Sequence, residues 1–231
     1  MKRISLISHY YNSFPRAQAL IAHLETFDKA ILDEIELIIV DDHSETSEKL
    51  TSDIISLKQV RVVEDIAWNQ GGARNLGALL AQGSWLLYFD IDQQISEFGL
   101  KSIVEQCHRL DRETMYMFYV DQFVDSNTNT PMSVHPNTFL VEAAMFRTTG
   151  MYDEDFSGNY GYEDLYLTYY YWDRYGGSRA ILGDRQFFQD QKFKTTSLAR
   201  DLAVNKAKLQ QKVLMGTPRP HSFVRFHWHM V

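Results

Sequence analysis

The chain has 231 residues, 45% of them hydrophobic and 23% charged, with a formal net charge of −7. This length fits one α/β domain, no Pro/Gly/Ser-rich linker divides it, and the acidic balance argues against a protein that coats nucleic acid, so no nucleic-acid partner is expected. The single Cys107 excludes an internal disulfide, and the apolar run after Lys2 and Arg3 is broken by Ser5, Ser8 and His9. That run falls short of a signal peptide or of the roughly 20 residues of a membrane span, so a cytoplasmic protein, at most peripheral at the inner face of a membrane, is expected.

Residues 4–8 predict a first strand, and 16–27 a helix with Ala17, Leu20, Ile21 and Leu24 at i, i+3, i+4 and i+7. A second strand over 36–40 runs into Asp41-Asp42-His43-Ser44, and a third spans 60–63. Next, 72–81 reads as a helix with Ala73, Leu76 and Leu80 on one side and Gly83 as its C-cap. Its approach, Asn69 to Asn75, places Gly71, Gly72 and Arg74 at a helix N-terminus, which favours an anion such as a diphosphate. Arg74 opposes the dipole there, so it faces either that anion or an acidic side chain.

The apolar stretch 85–89 has the character of a strand buried on both faces, and it ends in Asp90-Ile91-Asp92. At the carboxyl end of a strand in an open parallel sheet, two such carboxylates invite a divalent cation; taken alone they also suit a polar turn. A helix marked by Leu100, Ile103, Val104, Cys107 and Leu110 follows, then a strand over 115–120. Residues 122–137 are polar and turn-rich, and 139–141 resume an apolar run. Asp153-Glu154-Asp155-Phe156 leads through Gly158 and Gly161 to Tyr162-Glu163-Asp164, which opens a helix reaching about residue 175. Carboxylates there also serve as ordinary N-terminal caps. Alternating strands and helices predict a mostly parallel, Rossmann-like sheet flanked by helices.

From residue 191 onward eight basic side chains stand against one acidic one, so this tail carries +7 and the first 190 residues −14. Residues 197–214 read as a helix with Leu198, Leu202, Leu209 and Val213 on one side and Arg200, Lys206, Lys208 and Lys212 around the rest. Core packing with a solvated basic rim accounts for this pattern, and contact with an anionic membrane surface is the second reading. From Phe223 to His229 the sequence alternates, which in an extended chain puts Arg225, His227 and His229 on one face and Val224, Phe226 and Trp228 on the other.

These pieces together resemble the GT-A glycosyltransferases, in particular the large inverting family 2. The likeness covers roughly residues 3–175 and rests on five ordered motifs. They are the first strand through His9 and Asn12; Val40-Asp41-Asp42-His43-Ser44; Asn69 to Gly77; Asp90-Ile91-Asp92 as D-x-D; and Met151 to Phe156 with Gly161-Tyr162-Glu163-Asp164. His9 stands where the family has a small residue or Val, and His43 where it has Gly.

The resemblance implies a GT-A fold with a nucleotide-binding half over 1–95, an acceptor-binding half over 96–190 and a basic tail over 191–231. Asp42 and the backbone near His9 would hold the base, usually uracil, with Asn69 among the nucleotide-binding residues and Arg74 approaching the nucleotide. Asp90 and Asp92 would serve ribose and metal, either Mn²⁺ or Mg²⁺, with His227 or His229 as a third ligand. Asp164 would be the catalytic base, Glu163 would bind acceptor hydroxyls, and Tyr160 and Tyr162 would stack on the acceptor sugar. The implied activity is transfer of a sugar from a nucleotide-diphospho-sugar to a saccharide acceptor, including a lipid-linked one, in surface polysaccharide synthesis. A nucleotidyltransferase is the first alternative, but it calls for a Gly-rich loop after the first strand, and residues 8–16 contain no glycine. The second alternative, a non-catalytic carbohydrate- or nucleotide-binding relative, has intact Asp90, Asp92 and Asp164 against it.

Overall fold

The computed structural model describes residues 2–46, 48–121, 134–175, 177–191, 199–216 and 223–231. The first half alternates as expected: β1 (Ile4–Tyr10), α1 (Phe14–Leu24), α2 (Lys29–Leu32), β2 (Ile35–Asp41), β3 (Leu57–Val62), α3 (Gln70–Leu80) and β4 (Trp85–Tyr88). Then follow β5 (Gln93–Ile95), α4 (Glu97–Gln106), β6 (Thr114–Met117), β7 (Val120–Asp121), β8 (Phe139–Glu142) and α5 (Ala143–Thr149). The helix expected from Tyr162 onward is compound, with α6 (Glu163–Leu165), a π-helical stretch Tyr166–Tyr171 and α7 (Trp172–Arg174). Strands β9 (Ser178–Ile181) and β10 (Phe188–Asp190), helix α8 (Ala203–Met215) and β11 (Trp228–Met230) complete the chain.

Eight strands form the main sheet in the order β11-β3-β2-β1-β4-β8-β6-β9. Neighbours β3, β2, β1 and β4 are parallel, whereas β8 runs antiparallel to both β4 and β6 and β11 antiparallel to β3. Every residue of β4 is buried, so the uninterrupted apolar run does mark a strand covered on both faces. Alternation then sorts the core. Leu6, Leu37, Ile39 and Leu87 pack with α1 and α4 on one side, while Ile7, Ile38, Leu86 and Tyr88 pack with α5 and the π-helical stretch on the other. Helix α3 lays Ala73 and Leu76 on Val40, Val60 and Val62. A small sheet, β5-β10-β7, forms beside the loop that carries Asp92.

Three expectations are corrected. Gly83 is not a left-handed helix cap: α3 ends at Ala81 in extended geometry, and a Cβ on Gly83 would lie 2.6 Å from the Ser5 backbone nitrogen, so the residue is small because β1 passes over it. The strand expected over 115–120 is two strands in different sheets, β6 and β7. The alternation from Phe223 does not make one strand, because Val224 has φ +54° and only Trp228–Met230 is extended. Among the described residues no helix is long and apolar enough to cross a membrane.

At the end of the sheet opposite the strand-end carboxylates, Glu36 ties four segments together. One oxygen accepts from Ser5 Oγ (2.6 Å), Gln82 N–H (2.6 Å) and Gly83 N–H (3.2 Å), and the other from Lys58 Nζ (2.7 Å). Burial works against its ionisation, but the Lys58 ammonium, the Ser5 hydroxyl and the Gln82 amide outweigh it and hold its pKa below the ordinary value. A depressed carboxylate pKa contributes stability above the unfolded-state value and loses it as pH falls through the folded one. Glu36→Ala is expected to cost about 3 kcal/mol in urea unfolding at pH 7, and less as the pH approaches 4; a cost that grows on acidification would exclude this role.

Candidate active site

The carboxyl ends of β1, β2 and β4 lie side by side, and the two consecutive aspartates after β2 divide their work. Asp41 is structural: one oxygen accepts from Ser44 N–H (2.8 Å) and the other pairs with Arg61 Nη1 of β3 (2.5 Å). Asp42 donates its N–H to Tyr10 O (2.9 Å), and its Oδ1 accepts from Asn69 Nδ2 (3.0 Å). Burial pushes Asp42 up to about 7, the Asn69 hydrogen bond opposing and the charges of Asp41 and Asp65 adding. The chain then turns at His43 with φ +63°, a left-handed conformation that costs a side-chain-bearing residue roughly 1 kcal/mol and is free to glycine.

Asn69 precedes α3 and bridges Asp42 to Ser157, whose Oγ donates to Asn69 Oδ1 at 3.0 Å. This close packing explains Gly72, where a Cβ would fall 2.3 Å from Asn69 Oδ1 and 2.7 Å from Phe226 Cε1. One turn on, Arg74 is completely buried. Its Nη1 donates to Asn137 Oδ1 (2.7 Å) and Tyr152 Oη (2.8 Å), and its Nη2 pairs with Asp90 Oδ1. Of the two sequence readings of Arg74, the acidic partner is therefore present in the structure. His9, at the end of β1, has a buried Nδ1 with no partner, and burial together with the Arg74 charge pushes it down to about 3.

Asp90 is held at both ends. Its N–H donates to Gln93 Oε1 (3.0 Å), which also accepts from Thr138 Oγ1 (2.6 Å), and its Oδ2 lies 3.7 Å from His135 Nε2. Asn137 N–H donates to His135 Nδ1 (3.2 Å), which leaves the ring proton on Nε2, facing Asp90. Burial and Arg74 push His135 down to about 3. Burial raises Asp90 and Arg74 opposes it; burial and the neighbouring Asp90 push Asp92 up to about 6.

Across the site, Tyr162 takes φ +72° and starts α6 with Glu163 and Asp164. Burial and the Asp164 charge push Glu163 up to about 8, and its Oε2 has no partner. Burial also raises Asp164, opposed by the Leu165 amide that donates to its Oδ1 (2.7 Å) and by Arg74, while Asp90 adds. Asp90, Glu163 and Asp164 thus feel one another and one guanidinium. Tyr160 packs against Trp68, ring centroids 4.5 Å apart, with the Arg200 guanidinium 5.5 Å from its ring.

A sequence profile of the glycosyl transferase family 2 matches residues 5–173. The chain belongs to this family. Among solved structures, S. aureus TarS 1–349 in complex with UDP-GlcNAc superposes with a TM-score of 0.68 at 17% identity, over 92% of this chain and 66% of that one. S. aureus TarS 1–349 gives 0.61 at 18% identity over 82% and 60%, and S. aureus TarS gives 0.60 at 19% over 82% and 37%. The chain therefore spans less than two thirds of each, and at these identities the likeness speaks for the fold, an α/β fold of GT-A type. No curated protein matches the sequence.

Within the family 2 frame, His135, Asn137 and Thr138 are site residues that the sequence does not reveal; their polar, turn-rich surroundings carry no periodicity. Tyr152 falls within the Met151–Phe156 motif, and nothing along the chain marks its hydroxyl as a partner of Arg74. The two C-terminal histidines are not gathered with the D-x-D carboxylates. His227 is exposed and bonded through Nδ1 to Glu64 (2.5 Å), and His229 lies on edge strand β11, paired opposite Arg61. Four strand steps separate β11 from β4, about 19 Å at about 4.8 Å each. Among the described residues no group of three or more His, Cys, Asp or Glu side chains is placed to hold a metal ion.

Because Arg74 is fully buried and the partly buried Asp90 is its carboxylate partner, removing one leaves the other uncompensated. Arg74→Met should lower unfolding stability by about 3–5 kcal/mol, and adding Asp90→Asn should recover a substantial part of that. A double variant no more stable than Arg74→Met would show that the pair is not what the guanidinium stabilises.

Proposed function

We propose that the protein is an inverting glycosyltransferase that moves a sugar from a nucleotide-diphospho-sugar, with UDP as the nucleotide, to a hydroxyl of a saccharide acceptor in polysaccharide synthesis. The observation that carries this reading is the pairing of the D-x-D carboxylate Asp90 with the fully buried guanidinium of Arg74 at the carboxyl end of β4. Glu163 and Asp164, which open α6, are the second pair of carboxylates the reading uses. The UDP-GlcNAc bound in the TarS neighbour supports the choice of nucleotide.

Asp42, placed by Asn69, would accept the imide N–H of uracil. Asp92 and the Oδ2 of Asp90 are hard oxygen donors in the half-buried mouth of the site and fit Mn²⁺ or Mg²⁺, a mode in which one or two carboxylates share the ion with substrate phosphates. Such an ion supplies charge stabilisation to the departing diphosphate. Asp164 would accept the proton of the acceptor hydroxyl as its oxygen bonds to the anomeric carbon and the bond from that carbon to the diphosphate breaks, inverting the configuration. A carboxylate raised by burial is a stronger base for that step. Tyr160 and Tyr162 would face the acceptor. A lipid-linked acceptor would bring α8 toward the membrane, where Lys206 remains for anionic headgroups, since Lys208 is engaged by the Asp155 carbonyl, Lys212 by Asp153 and Asp155, and Arg200 by the Tyr160 ring.

The deciding experiment incubates the protein with Mn²⁺ and a panel of UDP- and GDP-sugars and follows binding and slow hydrolysis; no nucleotide-dependent signal would end this reading. Asp92→Asn should reduce donor affinity in calorimetry to its metal-free value, and normal affinity with Mn²⁺ present would remove Asp92 from the metal site. Asp164→Asn should keep donor binding while turnover falls at least about a hundredfold. A variant retaining a tenth of wild-type turnover would point to another base.

A further inference from the structure

Helix α8 lies beyond the stretch that the family profile matches, yet one of its residues reaches into the turn that delivers Glu163 and Asp164. Asn205 is fully buried, and the two N–H groups of its amide are shared among three backbone carbonyls: Phe156 O (3.0 Å), Asn159 O (2.8 Å) and Gly161 O (2.8 Å). These carbonyls belong to the turn joining the 3₁₀ turn Glu154–Phe156 to α6. Within it Gly158 (φ +93°), Gly161 (φ +85°) and Tyr162 (φ +72°) all take left-handed backbone. Converging carbonyl oxygens repel one another unless a donor sits between them, and the Asn205 amide is that donor. Its orientation is fixed, because a flipped amide would aim Oδ1, which has no partner of its own, at three oxygens. The approach is close: a Cβ on Gly161 would lie 2.6 Å from Leu202 Cδ2 at the start of α8. Lys212 holds the preceding stretch from outside through Asp153 (2.7 Å) and Asp155 (2.8 Å).

We propose that Asn205 is a positioning residue for the reaction, setting the Glu163–Asp164 carboxylates through the 156–162 turn. This rests on the reading of Asp164 as the base, and the test separates the two. The probe is hydrolysis of UDP-GlcNAc, or of whichever panel sugar the wild type hydrolyses fastest, with water as acceptor, beside calorimetric affinity for UDP with Mn²⁺. Asn205→Asp keeps the side-chain volume and replaces the donor with lone pairs, and Asn205→Ala leaves room for water. Hydrolytic kcat is expected to fall tenfold or more in Asn205→Asp and less in Asn205→Ala, with UDP affinity within twofold of wild type in both. If Asn205→Asp does not fold, Asn205→Ala decides alone, with an expected fall of at least threefold.

A positioning role also predicts that an Asn205 substitution adds less than a twofold further loss in the Asp164→Asn background, because the group it positions is gone. Losses that multiply in the double variant, an unchanged kcat, or UDP affinity falling in step with kcat would each overturn the proposal. A wild type without any nucleotide-sugar signal would instead overturn the reading of the function, and the positioning role with it.

Discussion

A guanidinium withdrawn entirely from water is the constraint on which the rest of this site depends. Arg74 cannot shed its charge, so its burial is tolerable only where acceptors converge on it, and Asp90, Asn137 and Tyr152 do so from three different segments. Each partner is fixed in turn: Asp90 through Gln93 and Thr138, and Tyr152 by its backbone N–H donating to Asn75 and its backbone carbonyl accepting from the same side chain. The end of β4, the 134–138 segment and the segment after α5 are thereby locked to helix α3. A site built this way is set before any ligand arrives, which is the arrangement that electrostatic catalysis requires.

The same charge organises the titration of its surroundings. Two histidines nearby, His9 and His135, are pushed down to about 3 by burial and by Arg74 and stay neutral, while Glu163 and Asp164 are raised because burial exceeds what that cation returns; Asp92 is raised by burial and by the neighbouring Asp90.

The charge asymmetry along the chain also finds an internal explanation. Much of the basic tail turns back onto the acidic body: Lys208 and Lys212 on the Asp153–Asp155 stretch, Arg225 on Asp155 (2.6 Å), and the Val224 and Arg225 amides on the Glu154 carboxylate. Helix α8 is thus joined to the segment that precedes Glu163 by charges at its edge and by Asn205 beneath. Its most exposed apolar residues, Leu214 and Met215, lie at the far end of the helix, where this attachment ends.

Local pattern was enough to read most strands and helices up to residue 117, but not the short α2 and β5, because a parallel strand buried on both faces needs an unbroken apolar run and an amphipathic helix needs its 3.6-residue stripe, and those two short elements show neither. It was enough, too, to mark Asp42, Asn69, Arg74, Asp90, Asp92, Glu163 and Asp164 as chemically interesting, since each stands at the end of a strand or the start of a helix. Pairing was decided elsewhere. Whether Arg74 meets an anion or a carboxylate depends on Asp90, 16 residues away, and on Tyr152, 78 residues away, and no local period encodes such contacts. His135 reaches Asp90 from an aperiodic segment, and the C-terminal histidines are carried to a sheet edge by the pairing of β11 with β3. Asn205 looked like one polar residue on a helix, and only the packing of that helix against three left-handed residues made it the donor for a loop some 45 positions earlier. The sequence by itself determined the elements and their chemistry, which depend on neighbours along the chain; the tertiary structure decided the partners, because burial, charge and hydrogen bonding act between atoms that only folding brings together.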